Sequence, residues 1–135
     1  MAKIQLWKDK QQRIIDPTLF SQKAQKVAED FAQENKDSKS QKVNKRTQIR
    51  KFYDEVQRLD GLAQNRPQQW EIILPQVHML IAKAAYAKGR DLVSDSFLEF
   101  VRTSVEQITT HEDLAVFASF FEAFMGFYRL HGPKN

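Results

Sequence analysis

Apolar residues recur at helical spacing in five stretches of this chain, and no stretch alternates convincingly as a half-buried strand would. Asp16 and Pro17 read as an N-cap and a first helical residue, and Phe20, Ala24, Val27 and Phe31 follow on one face. Ile49, Phe52, Tyr53, Val56 and Leu59 form a second stripe, with Gly61 placed to end it as the residue just past a helix. A third run begins at Pro67 and reaches Gly89. Pro75 lies inside it, removes one backbone hydrogen bond, and predicts a kink or a split. Val93, Phe97, Phe100, Val101, Ser104, Val105 and Ile108 make the fourth face. In the fifth, at about 100° per residue, Phe117, Phe120, Phe121, Phe124, Phe127 and Tyr128 fall within roughly a third of the circumference. That spacing reads as core. Thr110 with Asp113, or Thr109 with Glu112, resembles a capping box before it, and Gly132 with Pro133 closes it.

The remaining stretches have no period. Residues 1–15 scatter Ile4, Leu6, Trp7, Ile14 and Ile15 among Lys and Gln, which predicts an arm docking on the body. Residues 35–44 are polar and predict a flexible basic loop. The sum is an all-α, compact single-domain bundle of about five helices spanning 1–135, without internal repeats. A chain of this length buries roughly two-thirds of its unfolded surface, and 41% apolar residues is the composition of a folded protein. Four Gly and four Pro are too few for a many-turned β design. The absence of cysteine excludes disulfides and thiolate chemistry and fits a reducing compartment. No signal-peptide pattern is present, and no apolar run approaches the roughly 20 residues that cross a bilayer. A cytoplasmic protein without membrane attachment is the expectation.

Charge changes this picture. The net charge is only +4, but residues 36–51 hold Lys36, Lys39, Lys42, Lys45, Arg46, Arg50 and Lys51 against Asp37 alone. The basicity is therefore a local patch, as expected of a polyanion contact. A solvated linker followed by a helix with internal ion pairs reads equally well. The second helix opens on Lys45 and Arg46, although helix N-termini carry partial positive charge and attract acids. Arg50 has Asp54 one turn on, whereas Lys42, Lys45 and Arg46 have no local acid. Amide groups at a helix start beside uncompensated cations form a phosphate site. A second cluster, Lys83, Lys88 and Arg90, accompanies Tyr86 near the end of the third helix. Tyr86 suits base stacking or core packing; Arg90 suits a phosphate or the helix C-terminus.

Little else carries chemistry. His78, His111 and His131 occupy separate elements without metal-ligand spacing; His78 reads as a core or edge residue. The four glycines are isolated, so no loop cradles a nucleotide. Most carboxylates have a basic neighbour at helical spacing, such as Asp54 with Arg58 and Glu55 with Lys51. No catalytic residue, metal or cofactor is predicted, and the expectation is a non-enzyme.

Three stretches, "TQIRKFYDEV" (47–56), "AKAAYAKGR" (82–90) and "FASFFEAFMGFYRLHG" (117–132), together resemble the small subunit of type III-A CRISPR effectors, the Csm complex. Ala84 stands where that family commonly has Leu, and Phe127-Tyr128-Arg129 replaces a more usual Tyr-His pairing. The resemblance implies a helical, non-catalytic subunit of an antiviral complex. Its copies would line up along the large signalling subunit and face guide and target RNA held by backbone subunits. Carried over by motif, Gln48, Arg50, Lys51, Tyr86 and Arg90 become candidates for RNA or neighbour contact. Charge adds Lys42, Lys45, Arg46, Lys83 and Lys88; Arg50, Lys51 and Arg90 belong to both sets. Competing readings are the type III-B small subunit, a helical adaptor docking an acidic protein, and, more weakly, a membrane-surface protein. Ala118, Ser119, Ala123 and Gly126 lie away from the phenylalanines, where a second copy could pack as a homodimer or the helix could simply be buried.

Overall fold

The computed structural model describes residues 3–135. Five α-helices follow one another: α1 (Ala24–Asp37), α2 (Arg46–Asn65), α3 (Trp70–Gly89), α4 (Asp95–Val105) and α5 (His111–His131). No strand occurs among the described residues, apart from one isolated antiparallel bridge between Asp9 and Ile14. The architecture is the all-α bundle that the five apolar stripes predict.

α5 lies along both α1 and α2, while α3 packs on α4. The two groups are joined by aromatic side chains. Phe100 of α4 meets Phe117, Phe120, Phe121 and Phe124 of α5 with ring centroids 5.8 to 6.5 Å apart. It also meets Phe31 of α1 at 5.7 Å and its own neighbour Phe97 at 6.1 Å. All seven of these rings are fully buried. The aromatic stripe of α5 is core, as its spacing requires, although Phe127 at its edge is only partly buried.

Helix starts follow local chemistry. Thr110 and Asp113 form the capping box of α5, with Thr110 Oγ1 accepting from the Asp113 amide at 3.3 Å and Asp113 Oδ2 accepting from the Thr110 amide at 3.0 Å. Asp113 is 2% exposed and also accepts from the Trp7 indole at 2.8 Å. Burial pushes its carboxyl up, but the Thr109 amide, the Trp7 indole and the Thr110 amide outweigh that and hold it at about 2. The Trp7 bond latches residues 3–15 to the body, helped by Gln107, whose side chain bonds the backbone of Ile4 and Leu6. Leu6 of this arm is wholly buried.

Three expectations need correction. First, α1 is preceded by a π-helical turn, Leu19–Lys23, whose wider pitch shifts the register. Leu19 is buried in place of Phe20, which is 37% exposed. Asp16 still accepts from the Thr18 amide at 2.7 Å, but as a turn rather than an α-helix cap. Second, α2 runs through Gly61 to Asn65, burying Ala63 beyond it. Third, α3 is not split at Pro75 but runs on as one helix. Pro75 and Glu71, whose carbonyl loses its partner, are both exposed, so water replaces the missing bond. Pro67 does sit at a helix start, as the first residue of a short 3₁₀ turn (Pro67–Gln69). His78 is exposed rather than in the core, and Ala118 of α5 is buried.

Between α1 and α2 the chain is bound at both ends. Asn35 Nδ2 donates to the carbonyls of Gln41 (2.9 Å) and Val43 (2.7 Å). Asn44 is wholly buried in left-handed backbone, φ 61°. Its Oδ1 accepts from the Ser94 amide at 2.9 Å, its Nδ2 donates to Ser94 Oγ and Glu34 Oε1, and its carbonyl accepts from the Tyr128 hydroxyl. Three segments thus converge on the residue before the N-cap of α2. Burial pushes the Tyr128 phenol well above its ordinary value, and the Glu34 carboxylate adds to the shift.

Candidate nucleic-acid interface

The same packing that sets α2 against α3 brings the two basic segments of the sequence together. A groove of about 310 Å³ opens between α2 and the last turns of α3. Its floor is apolar: Phe52, Leu80, Ala87 and Leu92. Gln48 and Lys51 form its α2 rim, and Lys83, Tyr86 and Arg90 its α3 rim.

A left-handed turn after α3 holds this rim in place. Asp91, not Gly89, adopts positive φ (58°). The Leu92 amide then donates back to the Ala87 carbonyl and the Asp91 amide to the Lys88 carbonyl, both at 2.9 Å, which is a Schellman closure. This turn folds Leu92 back onto the groove floor and leaves Arg90 at the C-cap, beside Tyr86. The Arg90 guanidinium carbon lies 5.8 Å from the Tyr86 ring centre, a cation–π contact. Tyr86 is 68% exposed, so core packing, the other reading of that residue, does not apply.

The electrostatics differ from the pairing expected along α2. Glu55 does not bond Lys51. Its two oxygens accept from Arg58 Nε and one Arg58 terminal nitrogen, each at 2.9 Å, and Lys83 Nζ stands 3.6 Å away. The Arg58 hydrogen bonds hold the Glu55 carboxyl below its ordinary range against partial burial, and Lys83 adds to the shift. Asp54 bonds neither Arg58 nor Arg50. Lys51, Arg90 and Arg50 therefore have no acidic partner among the described residues. Lys88 is paired with Asp95 at 3.7 Å and stands outside the groove lining.

The other candidates sit elsewhere. Lys45 lines a separate cavity of about 480 Å³ with Lys36 and Lys134. Arg46 donates to the Lys134 carbonyl, and Arg50 lies one turn further along α2. Lys42 is exposed in the connecting segment. The structure thus separates two basic surfaces: a groove holding Gln48, Lys51, Lys83, Tyr86 and Arg90, and a flank holding Lys45 and Arg46. Lys134 and the apolar floor had no signal in the sequence. Lys134 is a lone charge after a helix end, and the floor residues look like any core stripe.

No group of three or more His, Asp or Glu among the described residues is placed to hold a metal ion. No helix among them is long and apolar enough to cross a membrane. Fold and groove define a small helical protein with an electropositive, aromatic-edged cleft. The family model Csm2 Type III-A matches residues 18–134, and the chain belongs to that family. Membership makes it a small subunit of a type III-A CRISPR effector, a component that assembles with other subunits and RNA. No curated protein and no solved structure matches significantly.

Proposed function

We propose that this subunit is non-catalytic, works in the cytoplasm, and lays its α2–α3 groove along the phosphate backbone of guide-bound target RNA. One observation carries this reading. Cations from two segments far apart in sequence, Lys51 on α2 and Lys83 and Arg90 at the end of α3, face one another across one cleft with a single acid, Glu55, that Arg58 already occupies. Unpaired cations converging on one cleft repel each other and are stabilised by an anion that bridges them. Base pairing with the guide supplies sequence specificity, so the protein needs only backbone contacts. Each copy binds weakly, and several copies tethered in one assembly bind strongly by effective concentration. Large-subunit and backbone-subunit contacts fall to the outer face of α3, where Ile72 and Met79 are 68% and 52% exposed.

The test is a titration of fluorescent single-stranded RNA at several salt concentrations. If the groove engages three phosphates, affinity falls with salt at a log–log slope of about −2. The variant Lys51→Glu, Lys83→Glu, Arg90→Glu, shown folded by circular dichroism, loses at least about tenfold in affinity and most of that slope. Arg46→Glu with Arg50→Glu probes the other basic surface. Unchanged binding by the groove variant, with loss in the flank variant, would move the RNA to the start of α2.

A further inference from the structure

A backbone contact accounts for the cations of the groove but not for the rest of its lining. Phosphate gains nothing from an apolar floor, yet Phe52, Leu80, Ala87 and Leu92 are gathered beneath the rim. Nor does it need Tyr86. This side chain is 68% exposed, pairs with no other aromatic ring among the described residues, and has the Arg90 guanidinium over its ring. Gln48 on the opposite rim has no side-chain partner among the described residues, and its amide offers both a donor and an acceptor. An aromatic edge, an apolar floor, a free amide and flanking cations are the four parts of a site for one unstacked nucleobase with its phosphates. The volume, about 310 Å³, lies at the lower end of small-ligand pockets and suits one base rather than a duplex edge.

We infer that the α2–α3 groove receives a single unpaired nucleobase of the RNA, stacked on Tyr86 and bonded at its edge by Gln48, while Lys51 and Arg90 hold the adjoining phosphates. This rests on the RNA reading above and adds to it a preference. Paired bases are stacked and their edges occupied, so only a bulged or single-stranded nucleotide enters.

Three labelled RNAs test the inference with the full chain: a perfect duplex, the same duplex with one bulged adenosine, and that bulge made abasic, the last two being equal in length and charge. The adenosine bulge binds about tenfold tighter than the other two, within the fivefold to hundredfold range that stacking one base supplies. Tyr86→Ala removes the difference between the adenosine and abasic bulges, whereas Tyr86→Phe keeps it. Both variants fold, because the side chain is exposed. Equal, salt-dependent binding of all three RNAs overturns the base pocket and leaves the backbone reading standing. Binding of none at low salt overturns the RNA reading and the pocket with it. A preference that survives Tyr86→Ala places the base in some other site.

Discussion

Asn44 shows how much one side chain can carry. It accepts from the Ser94 amide, donates toward Glu34 and Ser94, presents its carbonyl to Tyr128, and does so in a left-handed conformation that few residues tolerate. Asn44→Ala keeps the strained backbone, strands the Ser94 amide, and leaves the Glu34 carboxylate with only the Ser94 and Ser96 hydroxyls. A loss of about 3 kcal/mol follows, read as a lowered urea midpoint. A change below about 0.5 kcal/mol would mean that water replaces the network. Little of this was legible beforehand. In sequence, Asn44 is one polar residue at the end of a polar stretch, and its partners lie at positions 34, 94 and 128. Single-residue chemistry is readable where the partner is local, as with Thr110 and Asp113. It is unreadable where packing chooses the partner, and Glu55 shows both cases: the helix offered Lys51 and Arg58 and the carboxylate took Arg58, whereas only the fold supplied Lys83.

Among the elements, helix existence was legible and helix limits were not. The 3.6-residue period locates all five faces because burial imposes it. Glycine and proline mislead because their local cost is small beside the area that a whole helix buries. Gly61 and Gly132 have the same appearance in sequence, but only Gly132 ends a helix, and a Cβ there would stand 2.6 Å from the Tyr128 carbonyl. At Gly61 an added Cβ meets nothing within 4 Å, and φ is not positive. Gly61→Ala therefore stabilises the protein by about 0.5–1 kcal/mol through a less free unfolded chain and better helix propensity. Thermal melting checks this, and a lowered midpoint would show that α2 needs a bend there. The candidate site obeys the same division. Both basic segments were visible as charge, but their union needs the α2–α3 packing, and the turn that aims Arg90 takes its left-handed residue at Asp91 rather than at the nearby Gly89.

For the molecule as a whole, stability is centred on Phe100, which touches one aromatic ring of α1, one of α4 and four of α5. Phe100→Ala leaves a cavity shared by three helices and costs about 3–5 kcal/mol, a large part of the roughly 5–15 kcal/mol that holds a domain together. Urea denaturation followed by circular dichroism measures it; a loss under about 1 kcal/mol would mean that the surrounding rings collapse into the space. The groove lies on the α2–α3 side, and its floor joins the core through Phe52, whose ring meets Phe97 at 5.0 Å.

The corner before α5 has one more consequence. Both tryptophans of the chain meet there: Trp7 donates to Asp113, and Trp70 donates to the Thr109 carbonyl at 2.9 Å. Trp70 and Tyr86 stand sixteen residues apart on α3, about 24 Å along its axis. The tryptophan emission of this protein is therefore a gauge of one seam, where the N-terminal arm is buckled to the head of α5, and only the tyrosine emission, through Tyr86, reports on the cleft at the far end of α3.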